Sequence, residues 1–195
     1  MTDGVLAVAT GQRETYRELC RTGVLRFAST VQGKTALNFA GGLLAGPTDE
    51  MTLSLAHGIV ERLAGAQDWS QEVAALCDSM LALRELRHAE ALAALDRYLG
   101  QVPVGVGRVS MDAVPAYKAK SWFIRALLCA ELGRTEEARR DFAQARAQLK
   151  LTLGDKPGRD RRSAWYASYE AESWQREAEA VFKAKGIPLS EPDAK

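Results

Sequence analysis

Apolar residues recur at steps of three and four along most of the chain, and the breaks fall on glycine, proline or short polar runs. Val5 to Thr10 reads as the end of a helix turned by Gly11. Tyr16, Leu19, Cys20, Gly23, Val24 and Phe27 share one face, which predicts a helix from Glu14 to Ala28. Leu37, Phe39, Ala40, Leu43 and Leu44 predict a short helix from Thr35, and Gly46 and Pro47 stop it. Thr48 then stands where a cap belongs, its hydroxyl accepting a free backbone N–H of a helix that ends near Leu63.

The second half repeats this rhythm. Trp69 to Leu83 and His88 to Leu99 predict a helix pair whose join, Arg84 to Arg87, holds no glycine. Gly100 to Pro115 alternates valine with small residues, but a lone strand leaves its edges unpaired, so it reads as a loop. Ala116 to Leu132 and Thr135 to Leu149 form a further pair, followed by a polar loop. A final helix from Ser163 to Lys185 carries Trp165, Tyr166, Tyr169, Trp174, Ala178, Val181 and Phe182 on one stripe. Alanine, leucine, glutamate and arginine dominate throughout, so the fold class is all-α. Short joins make paired helices antiparallel neighbours, in one domain over 1–187 with a flexible tail over 188–195.

One stretch, SWFIRALLCAELGRTEEARRDFAQARAQLK (Ser121 to Lys150), says more. Ala126 and Ala138 are small where two helices would cross, Gly133 sits at the turn, and Phe142 and Ala145 follow at helical spacing. This resembles the tetratricopeptide (TPR) repeat, whose second helix carries A-x3-F, here Ala138 and Phe142. The first helix departs from that pattern, with Arg125, Ala126 and Cys129 in place of leucine, glycine and tyrosine, and Lys150 stands where proline is usual. Two fainter echoes occur. Gly11, Tyr16 and Cys20 repeat the spacing of Gly133, Ala138 and Phe142. Ala91, Leu95 and Tyr98 repeat it again, with Leu86 in the glycine's place. The intervals between echoes do not keep the family's period of roughly 34 residues. The resemblance implies a TPR-like α-solenoid of antiparallel helical hairpins with a C-terminal capping helix.

The stretches ATGQRETYRELCRTGVLRF, ALLCAELGRTEEARRDFAQARAQL and REAEAVF carry a second resemblance. Together they resemble the TPR-rich region that follows the kinase domain in large bacterial serine/threonine protein kinases of planctomycete type. That implies a bacterial repeat module set apart from its catalytic domain, because the Gly-rich loop, HRD and DFG stretches of a kinase are not in this sequence.

Charge and chemistry narrow the function classes. Lys and Arg number 26 against 25 Asp and Glu, a net charge of +1, so the whole chain calls for no polyanionic partner. Locally, Arg139, Arg140, Arg146, Lys156, Arg159, Arg161 and Arg162 gather beside Trp165 and Tyr166. Such a run could grip a phosphate backbone or clamp an acidic peptide, although a solvated face is the plainer reading. No run is apolar enough for a membrane span and the start does not read as a secretory signal. Cys20, Cys77 and Cys129 lie far apart in helical patterns and read as reduced buried thiols, which suits the cytoplasm. His57 and His88 sit in no ligand motif, and no P-loop, GxSxG or GxGxxG occurs, so the reading calls for no metal, no cofactor and no catalysis. Trp122 and Trp174 read as core wedges.

The expected function is a scaffold that binds a protein or peptide in a groove lined by first helices, with Asn38, Lys118, Lys120, Ser121 and Arg125 as the groove residues. A nucleic-acid-binding helical protein and a regulatory fragment of a larger signalling enzyme are the alternatives. Apolar residues at the thin N-terminal end are expected to allow pairing with a second copy.

Overall fold

The computed structural model describes residues 40–46, 48–64, 70–101, 114–153 and 161–189, with positions 14, 15, 18, 19 and 22. Among these residues every regular element is helical, as expected of an all-α chain. A helical stretch over residues 40–44 is followed by α1 (Glu50–Ala64), α2 (Ser70–Arg84), α3 (His88–Gln101), α4 (Val114–Glu131), α5 (Thr135–Leu153) and α6 (Arg161–Ala184). These bounds lie within about one turn of the sequence expectation. The expected helix over Val5 to Thr10 and most of the Gly100 to Pro115 loop lie outside the described residues. The chain divides into two compact units, Met1–Gly105 and Val106–Lys195.

In the first unit α2 lies against both α1 and α3. That position explains its sequence: Leu76, Cys77, Ser79, Met80, Leu81, Ala82 and Leu83 are all buried, so no polar face is needed. The cap of α1 is Asp49 rather than Thr48. Its Oδ1 accepts the Thr52 N–H at 2.9 Å, and its carbonyl accepts the first ladder bond, from Leu53 N–H at 2.9 Å. The cap must directly precede the first helical residue, and a carboxylate there also meets the positive end of the helix. The Arg84 Nε–H donates to the Leu44 carbonyl at 3.0 Å, which sets the end of the 40–44 stretch beside the end of α2.

In the second unit α4 is the central helix, packed on both α5 and α6. Ala119, Lys120, Ser121, Phe123, Ile124 and every residue from Ala126 to Ala130 are buried. Three phenylalanines, one per helix, join the layers. Phe123 meets Phe142 edge-on with centroids 5.3 Å apart, and Phe142 meets Phe182 at 5.2 Å. Such pairs contribute about 0.5–1.5 kcal/mol beyond area burial. Trp174 is fully buried, as expected of a wedge, whereas Trp122 is half-buried.

Three helices end in one way. After α2, Arg87 N–H reaches the Ala82 carbonyl at 2.8 Å and Leu86 N–H the Leu83 carbonyl at 3.1 Å. After α4, Arg134 reaches Cys129 at 2.8 Å and Gly133 reaches Ala130 at 3.1 Å. After α6, Ile187 reaches Phe182 at 2.8 Å and Gly186 reaches Lys183 at 3.3 Å. Each is the doubled C-terminal closure built around a left-handed residue, here Leu86, Gly133 and Gly186.

Candidate functional site

The seam between paired helices is built from small residues and one internal ion pair. Ser79 and Ala91 stand seven before and five after Leu86, and the Ser79 hydroxyl donates to the Ala91 carbonyl at 2.8 Å, fully buried. Only a short side chain permits that approach. Ala126 and Ala138 hold the same places about Gly133, and neither is exposed. Ala145, Leu149 and Phe142 continue the α5 side of the seam.

Four of the five expected groove residues are described, and Asn38 lies outside. Lys118 is exposed. Ser121 is fully buried and its hydroxyl donates to the Tyr117 carbonyl at 3.1 Å. Lys120 is buried and its Nζ meets Glu170 Oε2 of α6 at 3.2 Å, with both side chains shielded from water. Arg125 is half-buried. Its guanidinium donates to the Asp141 carboxylate of α5, lies 3.6 Å from Glu137, and stands 6.0 Å from the centre of the Trp122 ring. Thus Lys120, Ser121 and Arg125 bind within the unit, and of these four Lys118 alone faces solvent. The reason is the central place of α4, which leaves it little free face.

Asp141 is the hub of the seam. Its side chain is only 1% exposed. Besides Arg125, it accepts from Arg140 Nε at 3.4 Å and lies 3.9 Å from the Cys129 thiol. Burial pushes its carboxyl above the usual 3.8, while the Arg125 and Arg140 charges pull it back. Burial likewise pushes the Cys129 thiol up to about 11. The thiol is therefore protonated at neutral pH and is no nucleophile. Cys77 is also buried.

The other charged side chains among the described residues are at least partly exposed. His57 of α1 meets Glu61 at 3.1 Å and Glu85 at 3.5 Å, which ties α1 to the turn after α2. Glu85 is also bound by Arg87, which bonds Glu90 too. Among the described residues no group of three histidine, cysteine or acidic side chains is placed to hold a metal ion, and no helix is long and apolar enough to cross a membrane. A shallow groove of about 530 Å³ runs past Arg176, Glu179, Ala180, Lys183, Ile187 and Leu189. The outer face of α5 is basic, with Arg140 and Lys150 exposed and Arg139 and Arg146 half-buried. Of the wider basic run, Lys156 and Arg159 lie outside the described residues, as do the side chains of Arg161, Arg162, Trp165 and Tyr166. So does most of the N-terminal end expected to meet a second copy.

Sequence reasoning missed Asp141 and Glu170. Nothing in RRDFA or SYEAE separates a buried acid from a solvated one. Comparison with protein-family models, with curated proteins and with solved structures returns no match.

Proposed function

We propose that the chain is a TPR-like α-solenoid that acts as a non-catalytic scaffold in the cytoplasm and binds a protein or peptide partner. One observation carries this reading. Lys120 and Glu170 pair in the first halves of α4 and α6, and Glu131 and Lys185 pair at their ends at 2.9 Å. The two helices therefore run parallel, with α5 returning antiparallel between them in the chain. A stack of helical hairpins requires that order, because successive first helices point the same way. The shared turns after α2, α4 and α6 support the same reading. Stacked hairpins recognise partners by shape along an extended surface, taking a helix or an extended segment. Lys118 is the groove residue to test, since its side chain reaches solvent from α4. The kinase-associated resemblance makes a signalling context part of the proposal.

The test is selection of a random-sequence peptide library on the purified chain, followed by calorimetry of the enriched peptides. Saturable one-to-one binding is the expected result. A library that yields no binder, with a nucleic-acid oligomer bound steeply dependent on salt, overturns it in favour of nucleic-acid binding.

A further inference from the structure

The C-terminal half of α5 carries exposed charge of one sign. From Phe142 to Leu153 the helix holds Arg146 and Lys150 and no acid. At about 100° per residue, Arg139, Arg146 and Lys150 fall within roughly 40° of one another and form a row about 16 Å long. Beside them run Ala143, Ala147 and Leu151, four residues apart and all exposed. Leu151 is 67% exposed, an apolar side chain that ends the alanine row about 100° around the helix from Lys150. Arg139 is engaged by Glu136 at 3.6 Å and Arg140 by Asp141, whereas Arg146 and Lys150 have no ion-pair partner among the described residues.

We infer that this face binds an acidic amphipathic peptide, with carboxylates against Arg146 and Lys150 and an apolar side chain against Leu151. This rests on the proposed scaffold function and names the partner's chemistry. Charge complementarity decides the occupant. Two unopposed cations one turn apart attract carboxylates at the same spacing, and a helix carries carboxylates at that spacing on one face. The flat alanine row lets the partner's backbone come close enough for its apolar side chain to cover Leu151. The groove residue Lys118 stands on a different helix, so it separates this surface from the first-helix groove.

The experiment extends the library selection by charge and by variant. Peptides enriched on the wild-type chain are sequenced, then titrated against R146E/K150E, the milder R146Q/K150Q, and K183E as a control; circular dichroism checks that each variant is folded. The expected binders are acidic, weaken at least about tenfold with R146E/K150E and less with R146Q/K150Q, and lose affinity as salt rises. K183E, a charge reversal at an exposed residue of α6, leaves them bound. Enriched peptides that are neutral or basic, or acidic ones indifferent to both double variants, overturn the inference while leaving the scaffold reading intact. Binding of an oligouridylate that the same double variants abolish, with no acidic peptide enriched, reassigns the face to nucleic acid and overturns it too. No enrichment at all removes the scaffold reading along with it.

Discussion

Leu86 and Gly133 hold the same left-handed backbone, with φ of 61° and 74°, at the same point after α2 and α4. Glycine adopts this conformation without strain, whereas a Cβ beside the following carbonyl costs a leucine about 1–2 kcal/mol. Leu86 gains little in return, being 77% exposed. Leu86→Gly is therefore expected to raise stability by about 1 kcal/mol, read as a higher denaturation midpoint at unchanged slope. Gly133→Ala should lower it by a similar amount. A Cβ there would meet no atom within 4 Å, so that loss isolates the backbone term. A stabilising Gly133→Ala would show that the turn is not held as described.

Arg125 and Asp141 join α4 to α5 in a place where Asp141 is shut off from water. Removing Arg125 leaves Asp141 with Arg140 at 3.4 Å, and removing Asp141 leaves Arg125 with Glu137 at 3.6 Å, so each loss should approach about 3 kcal/mol. Asp141→Ala and Arg125→Ala should each be strongly destabilising. The double variant Arg125→Met with Asp141→Leu should recover most of that loss, because a buried pair seldom outperforms well-packed apolar side chains. A double variant as unstable as the sum of the singles would mean the two groups act independently.

How much of this was legible beforehand follows from the kind of signal each feature leaves. The helices α1 to α6 show in the sequence because their apolar spacing and breakers are local. The turn at Leu86 was marked by its echo of Gly133, although leucine alone would not suggest a left-handed residue. The burial of Lys120, Ser121 and Arg125 left no local mark. A polar residue on a first helix reads as solvent-facing until the helix is known to be central, and that depends on Glu170 and Asp141, tens of residues away or on the next helix. Thr48 and Asp49 are both good caps, and only the start of α1 chooses between them.

Ala126 and Ala138 test the seam directly. Both are fully buried about Gly133, so a larger side chain has no room without parting α4 from α5. Ala126→Leu and Ala138→Leu should each cost about 1–3 kcal/mol by overpacking. Ala143→Leu, on the exposed face of the same helix α5, should change stability by no more than about 0.5 kcal/mol. Chemical denaturation of the three variants reads the contrast. Equal tolerance of leucine at all three positions would remove the close crossing on which the repeat reading depends.

The Cys129 thiol gives the fold a loss of stability at high pH. Its folded pKa of about 11 lies above the usual 9.0, so between these values the unfolded chain releases a proton that the folded chain retains. This contribution is whole below pH 9.0 and disappears as pH rises toward about 11. At about 1.4 kcal/mol per unit, the loss is at most roughly 3 kcal/mol. Cys129→Ala removes the titrating group for a loss of about 1 kcal/mol at neutral pH from the emptied volume. Lysines and tyrosines titrate in both proteins and cancel in the difference, so the wild-type advantage over the variant should shrink steadily across the window and then reverse. Iodoacetamide should also leave Cys129 unmodified in the folded chain at neutral pH and label it on unfolding. Parallel stability curves for the two proteins, or rapid labelling of the native thiol, would contradict the buried, protonated state of Cys129 beside Asp141.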